Sequence, residues 1–124
     1  MNILLIQNDI RRAIPTMELI DSLGYQIILA TNGAQALHKI KNVNFDLLLI
    51  DLQIPDISVE RFLKDIKALR PEVKIITMLD NNSPELEKLI RSLGIVYYLP
   101  TQYFPMELAS ILQHISKRST NIFQ

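Results

Sequence analysis

FDLLLIDLQIPD, residues Phe45 to Asp56, is the stretch whose reading decides the fold. Leu47 to Ile50 form an unbroken apolar run, too short for a globular helix and bounded by Asp46 and Asp51. Such a run predicts a strand buried on both faces. Asp51 falls where that strand ends. In an open parallel sheet, ligands and chemistry gather in the crevice outside the carboxyl ends of the strands, so a carboxylate there is a functional candidate by position. The plainer reading is a strand-end acid held by neighbouring polar groups, and at this point both stand.

Outward from this stretch the same punctuation repeats. Ile3 to Ile6 read as a central strand cut off by Gln7, Asn8 and Asp9, either of the last two being able to cap the next helix. Ile10, Ala13, Ile14, Met17, Ile20 and Leu23 recur at helical spacing before Gly24, and such stripes are read as core. Pro15 within that stripe predicts a kink, or a helix whose ordered start moves towards Ala13. Gln26 to Ala30 read as a strand, and Asn32 caps a short helix bearing Ala36, Leu37 and Ile40. Beyond the organising strand, Ser58 caps a helix bearing Phe62, Leu63, Ile66 and Leu69, and Val73 to Leu79 give a fourth strand. Asp80 and Asn81 shape a turn, Ser83-Pro84-Glu85 open a helix that Gly94 closes, Ile95 to Leu99 give the last strand, and a helix follows Pro105. Strands alternating with helices throughout predict an α/β fold, a doubly wound five-stranded parallel sheet covered on both faces.

Composition agrees with one such domain, expected over residues 1–118 with a polar tail at 119–124. The chain has 124 residues, 48% of them hydrophobic, and its 13 basic and 13 acidic side chains give a formal net charge of zero. No binding of nucleic acid by this domain is therefore expected. The absence of cysteine removes disulfides, thiolate chemistry and cysteine-based metal sites. No apolar stretch is long enough to span a membrane, and MNILLIQND lacks the basic leader of a signal peptide, so a cytoplasmic location is expected. His38 and His114 have no partner at metal-ligand spacing and read as solvated surface.

FDLLLIDLQIPD closely resembles the phospho-acceptor segment of response-regulator receiver domains. ILLIQND resembles the first strand of that family, TNGAQAL its second loop, SLGIVYYLP the entry to its fifth strand and PMEL the start of its last helix, so the resemblance covers essentially the whole chain. It implies a flavodoxin-like, CheY-like (βα)5 fold with strand order 2-1-3-4-5. Receivers hold an acidic pair after the first strand, an acceptor aspartate after the third, a Thr or Ser after the fourth and a Lys-Pro after the fifth. By the resemblance the acceptor falls on Asp51 and the acidic pair on Gln7 and Asn8. The hydroxyl position falls on Leu79, the lysine on Thr101 and the proline on Gln102, while the switch aromatic is kept as Tyr98. The glycine usual after the proline loop falls near Val59, a further departure.

These replacements bear directly on chemistry. A hard cation such as Mg²⁺ is bound through carboxylates, and Gln7 and Asn8 offer amides without charge. Asp51 is left as a lone carboxylate to which those amides could donate hydrogen bonds. Phosphoryl transfer relies on positioning and on stabilising the equatorial oxygens, and each lost stabiliser costs about 3 kcal/mol of barrier, although such effects do not simply add. The expectation is a vestigial site with no catalysis, no metal, and Mg²⁺ binding lost or very weak. Asp9 reads as a cap rather than a replacement ligand. Thr77 shares Leu79's strand face but lies ~7 Å further back, too far to replace the hydroxyl.

The function so implied is that of a pseudo-receiver, a phosphorylation-independent protein-interaction module in signal transduction and not an enzyme. The alternative is a residual phosphoryl acceptor at Asp51, including the receiver part of a longer DNA-binding regulator in two-component signalling. Receivers use the surface of the fourth helix, fifth strand and fifth helix for partners. Glu87, Lys88, Arg91, Tyr98 and Tyr103 are the candidate interface residues, towards a signalling protein or towards a second copy in a homodimer.

Overall fold

The computed structural model describes residues 1–79, 84–95, 97–100 and 106–121, with the backbone alone at 79, 97–100, 106 and 116–121. The strands are β1 (Asn2–Ile6), β2 (Gln26–Ala30), β3 (Leu47–Asp51), β4 (Lys74–Leu79) and β5 (Tyr97–Pro100). They alternate with α1 (Ile10–Ser22), α2 (Gly33–Asn42), α3 (Val59–Leu69), α4 (Pro84–Ser92) and α5 (Met106–Asn121). Every strand pair is parallel and the order is β2-β1-β3-β4-β5, as expected. All of β3 is buried, because strands flank it on both sides and helices cover both faces.

Strand alternation divides the core in two. Leu4, Ile6, Leu48, Ile50 and Ile75 face Ala36 and Ile40 of α2, Phe62, Leu63 and Ile66 of α3, and Ile90 of α4. On the other face Ile3, Leu5, Leu47, Leu49, Ile76 and Met78 meet Ala13 and Ile20 of α1 and Leu108, Leu112 and Ile115 of α5. The registers Ile6↔Ile50 and Asp51↔Met78 bring the carboxyl ends of β1, β3 and β4 level. By the same alternation Gln7 and Asp51 continue the face of Leu5, Leu49 and Met78, towards α1.

The capping signals act as their spacing predicts. Asp9 accepts from the Arg11 N–H at 3.0 Å, Asn32 from Gln35 at 2.8 Å and Ser58 from Arg61 at 3.2 Å. Gly24, with φ of 85°, ends α1 while its own N–H reaches the Asp21 carbonyl and that of Tyr25 reaches Ile20.

Three expectations need correction. Helix α1 starts at Ile10, not near Ala13, and contains Pro15. Arg11, whose carbonyl loses its helical donor to the proline ring, and Pro15 are both exposed, so water can take the carbonyl. Ile10 and Ile14 are 58% and 47% exposed rather than core, and the inward residues are Ala13, Thr16 and Ile20. The buried face of α1 runs through Ala13, Thr16 and Ile20, and Ile10 and Ile14 lie off it. Finally, β5 starts at Tyr97 rather than Ile95, because the Ile95 N–H still closes α4 through the Ile90 carbonyl.

Candidate functional site

Gln7 is the first residue beyond β1. Its N–H continues the ladder to the Ala30 carbonyl at 3.0 Å, so its backbone is fixed and its side chain is buried beside Asp51. Gln7 Nε2 donates to Asp51 Oδ2 at 2.6 Å. Gln7 Oε1 accepts from the Asp9 N–H at 3.0 Å. That second bond fixes the amide's orientation: only oxygen can face an N–H, so the NH₂ group must face the carboxylate. The other carboxylate oxygen, Asp51 Oδ1, accepts from the Gln53 N–H at 2.9 Å. Asp51 is thus buried but doubly held, consistent with the cost of leaving a buried charge without donors.

Asp51 is not the isolated charge that the sequence suggested. Arg12, on the first turns of α1, places Nη1 3.9 Å from Asp51 Oδ2. Of the two amides expected near the carboxylate, Gln7 is the one bonded to it, and Asn8 is exposed. Asp9 uses its carboxylate as the cap of α1. The residues present do not fit a divalent cation: the amide at Gln7 turns its donor towards Asp51 and spends its oxygen on Asp9. Among the described residues, no group of three or more His, Cys, Asp or Glu side chains gathers to hold a metal.

Thr77 is buried and pairs with Ile50 and Tyr98, while Asp51 pairs with Met78. By alternation Thr77 shares the strand face of Leu79, and its place ~7 Å further back along β4 keeps it from replacing the missing hydroxyl. Leu79 ends β4. Asp80, Asn81, Thr101, Gln102 and Tyr103 lie outside the described residues, and of Tyr98 the backbone is described, in β5. On α4, Lys88 and Arg91 are exposed, and Arg91 Nη2 donates to Glu87 Oε1 at 2.6 Å in an i,i+4 pair that contributes little to stability.

Two residues escaped the sequence reading. For Arg12 a signal existed, since it lies one turn before the inward-facing Thr16, but the apolar stripe through Ile10 and Ile14 pointed elsewhere. Asp56 gave no local signal because its partners are distant in sequence. Its Oδ1 accepts from the Gly33 N–H at 2.7 Å and its Oδ2 from the Ala34 N–H at 3.0 Å, fastening the loop after β3 to the start of α2. These bonds, that from Gly33 first, hold its carboxyl below the usual value of 3.8. The approach requires glycine: a Cβ at position 33 would lie 2.5 Å from Ile57 Cγ2 and 3.0 Å from Asp56 Oδ1.

The chain is similar to known proteins in sequence and in fold. Residues 3–113 match the family described as response regulator receiver domain. The transcriptional regulatory protein ZraR of Escherichia coli (strain K12) is 32% identical over 98 residues, which are 79% of this chain and 22% of that protein. The transcriptional regulatory protein CpxR of the same organism is 31% identical over 119 residues, 94% of this chain and 50% of that protein. A CheY-like response regulator receiver domain protein from Methanospirillum hungatei JF-1 superposes with a TM-score of 0.89 at 24% identity, covering 97% of this chain and 96% of the other. At that identity the likeness is one of fold. The chain spans about a fifth of ZraR and half of CpxR.

Proposed function

The chain belongs to the response regulator receiver domain family, a family of signalling modules in two-component systems, and from that premise we propose that it is a pseudo-receiver working without phosphorylation. The observation that carries this reading is the Gln7 amide, 2.6 Å from Asp51 Oδ2. Phosphoryl transfer to a carboxylate relies on metal-binding charge beside it to take the developing charge. Here Gln7 contributes a hydrogen-bond donor to Asp51 in place of that metal-binding charge. The module works by binding, with no enzymatic step and no cofactor, and with Mg²⁺ binding lost or very weak. Its place is the cytoplasm. Among the described residues no helix is long and apolar enough to cross a membrane.

The partner is a signalling protein or a second copy of this chain. It binds through α4, β5 and α5, with Glu87, Lys88, Arg91, Tyr98 and Tyr103 as anchors, and with zero net charge the domain does not take up nucleic acid. Incubation with acetyl phosphate and MgCl₂ followed by intact mass measurement tests the reading. The unmodified mass is expected, and stoichiometric phosphorylation at Asp51 overturns it.

A second reading keeps Asp51 as a residual acceptor in the receiver part of a longer DNA-binding regulator. Two observations favour it: Asp51 stands at the carboxyl end of β3, and the relatives ZraR and CpxR are transcriptional regulatory proteins of which this chain spans only part. It predicts the phosphorylated mass in the same experiment.

A further inference from the structure

Gln7 links three segments through one side chain. Its Nε2 holds Asp51 at the end of β3, its Oε1 holds the Asp9 N–H, and Asp9 in turn caps α1 through the Arg11 N–H. The next residue, Arg12, is thereby delivered to the crevice with Nη1 3.9 Å from Asp51 Oδ2, the oxygen that Gln7 also contacts. We propose that Arg12 is the resident cation of the Asp51 site, a tethered guanidinium that Gln7 positions and that stands in place of a divalent ion.

The inference rests on the pseudo-receiver reading and adds to it the group that neutralises Asp51. Asp51 and Arg12 together carry no net charge, Gln7 is neutral, and the Asp9 carboxylate is engaged by the first turn of α1. A dication approaching Asp51 Oδ2 meets an amide hydrogen and a positive charge on the same oxygen. Neither feature alone accounts for exclusion. A carboxylate at position 7 would acquire Arg12 as its counter-ion, and removing Arg12 alone would leave one carboxylate, too few for Mg²⁺. Metal binding should therefore return only when both are changed.

The test compares the wild-type chain with Gln7→Glu, Arg12→Gln and the double variant. Each is titrated with MgCl₂ while the backbone amide signals of residues 7–9 and 51–53 are followed, with MnCl₂ broadening as a second probe. The double variant is expected to bind at least about tenfold more tightly than Gln7→Glu, the difference that one removed positive charge makes for a dication. Equal affinity of Gln7→Glu and the double variant overturns the role of Arg12. If Gln7→Glu fails to fold, Arg12→Gln in the otherwise unchanged chain decides. It should shift the Gln7 side-chain amide signals, because Arg12 shares the oxygen that Gln7 contacts, and unmoved signals overturn the proposal. Binding of Mg²⁺ by the wild-type chain would refute the pseudo-receiver reading itself and is distinguishable from these outcomes.

Discussion

Asp51 and Asp56 bound one short loop after β3, and their surroundings differ in kind. Asp51 is buried and held by a side-chain amide, one backbone N–H and a nearby guanidinium. Asp56 is exposed and held by two consecutive N–H groups at the start of α2. The first stands at a strand end, with a donor on each oxygen and a guanidinium beside it. The second joins two segments of the fold. Position at a strand end nominates a carboxylate, but its donors decide what it does.

The largest test of this contrast is Gln7→Leu, which keeps bulk while removing the donor 2.6 Å from a buried carboxylate. It should cost about 3 kcal/mol, the upper end for an orphaned buried polar group, read as a loss of stability in urea unfolding at neutral pH. Gly33→Ala strikes the other carboxylate. The added Cβ presses on Ile57 and Asp56, and an overpacking cost of about 2 kcal/mol is expected by the same measurement. Asn32→Ala removes the remaining side-chain cap of α2 and should cost about 1 kcal/mol.

The smallest effect is in pH. The folded-state pKa of Asp56 lies below its unfolded value, so its contribution is fully present above the ordinary carboxyl value of 3.8 and is lost as pH falls through the folded pKa. Asp56→Asn should therefore lower Tm at neutral pH, and the gap to the wild-type chain should close progressively in acid below that value. A gap that is unchanged by acid would deny Asp56 its role at the start of α2.

The parts legible in the sequence were those governed by neighbours in the chain. The apolar run Leu47–Ile50, the caps Asp9, Asn32 and Ser58, and the stop at Gly24 each follow from local chemistry and appear where expected. The strand order came through the resemblance, since pairing between β1 and β3 joins segments that local patterns do not connect. What escaped depends on which face of a helix meets the sheet. Ile10 and Ile14 satisfy a helical stripe, but α1 buries Ala13, Thr16 and Ile20 instead, and Arg12 on the same helix reaches Asp51. Asp56 finds partners on α2 by folding, and nothing near it in sequence announces them.

The Gln7 side-chain amide tests the central claim most directly. In the ¹H–¹⁵N spectrum the account predicts a Gln7 Nε2 proton shifted well away from free glutamine, protected from exchange, lost to the free position in Asp51→Asn, and unmoved by millimolar MgCl₂. A Gln7 amide at the free-glutamine position in the wild-type chain, or one displaced by Mg²⁺, would contradict it.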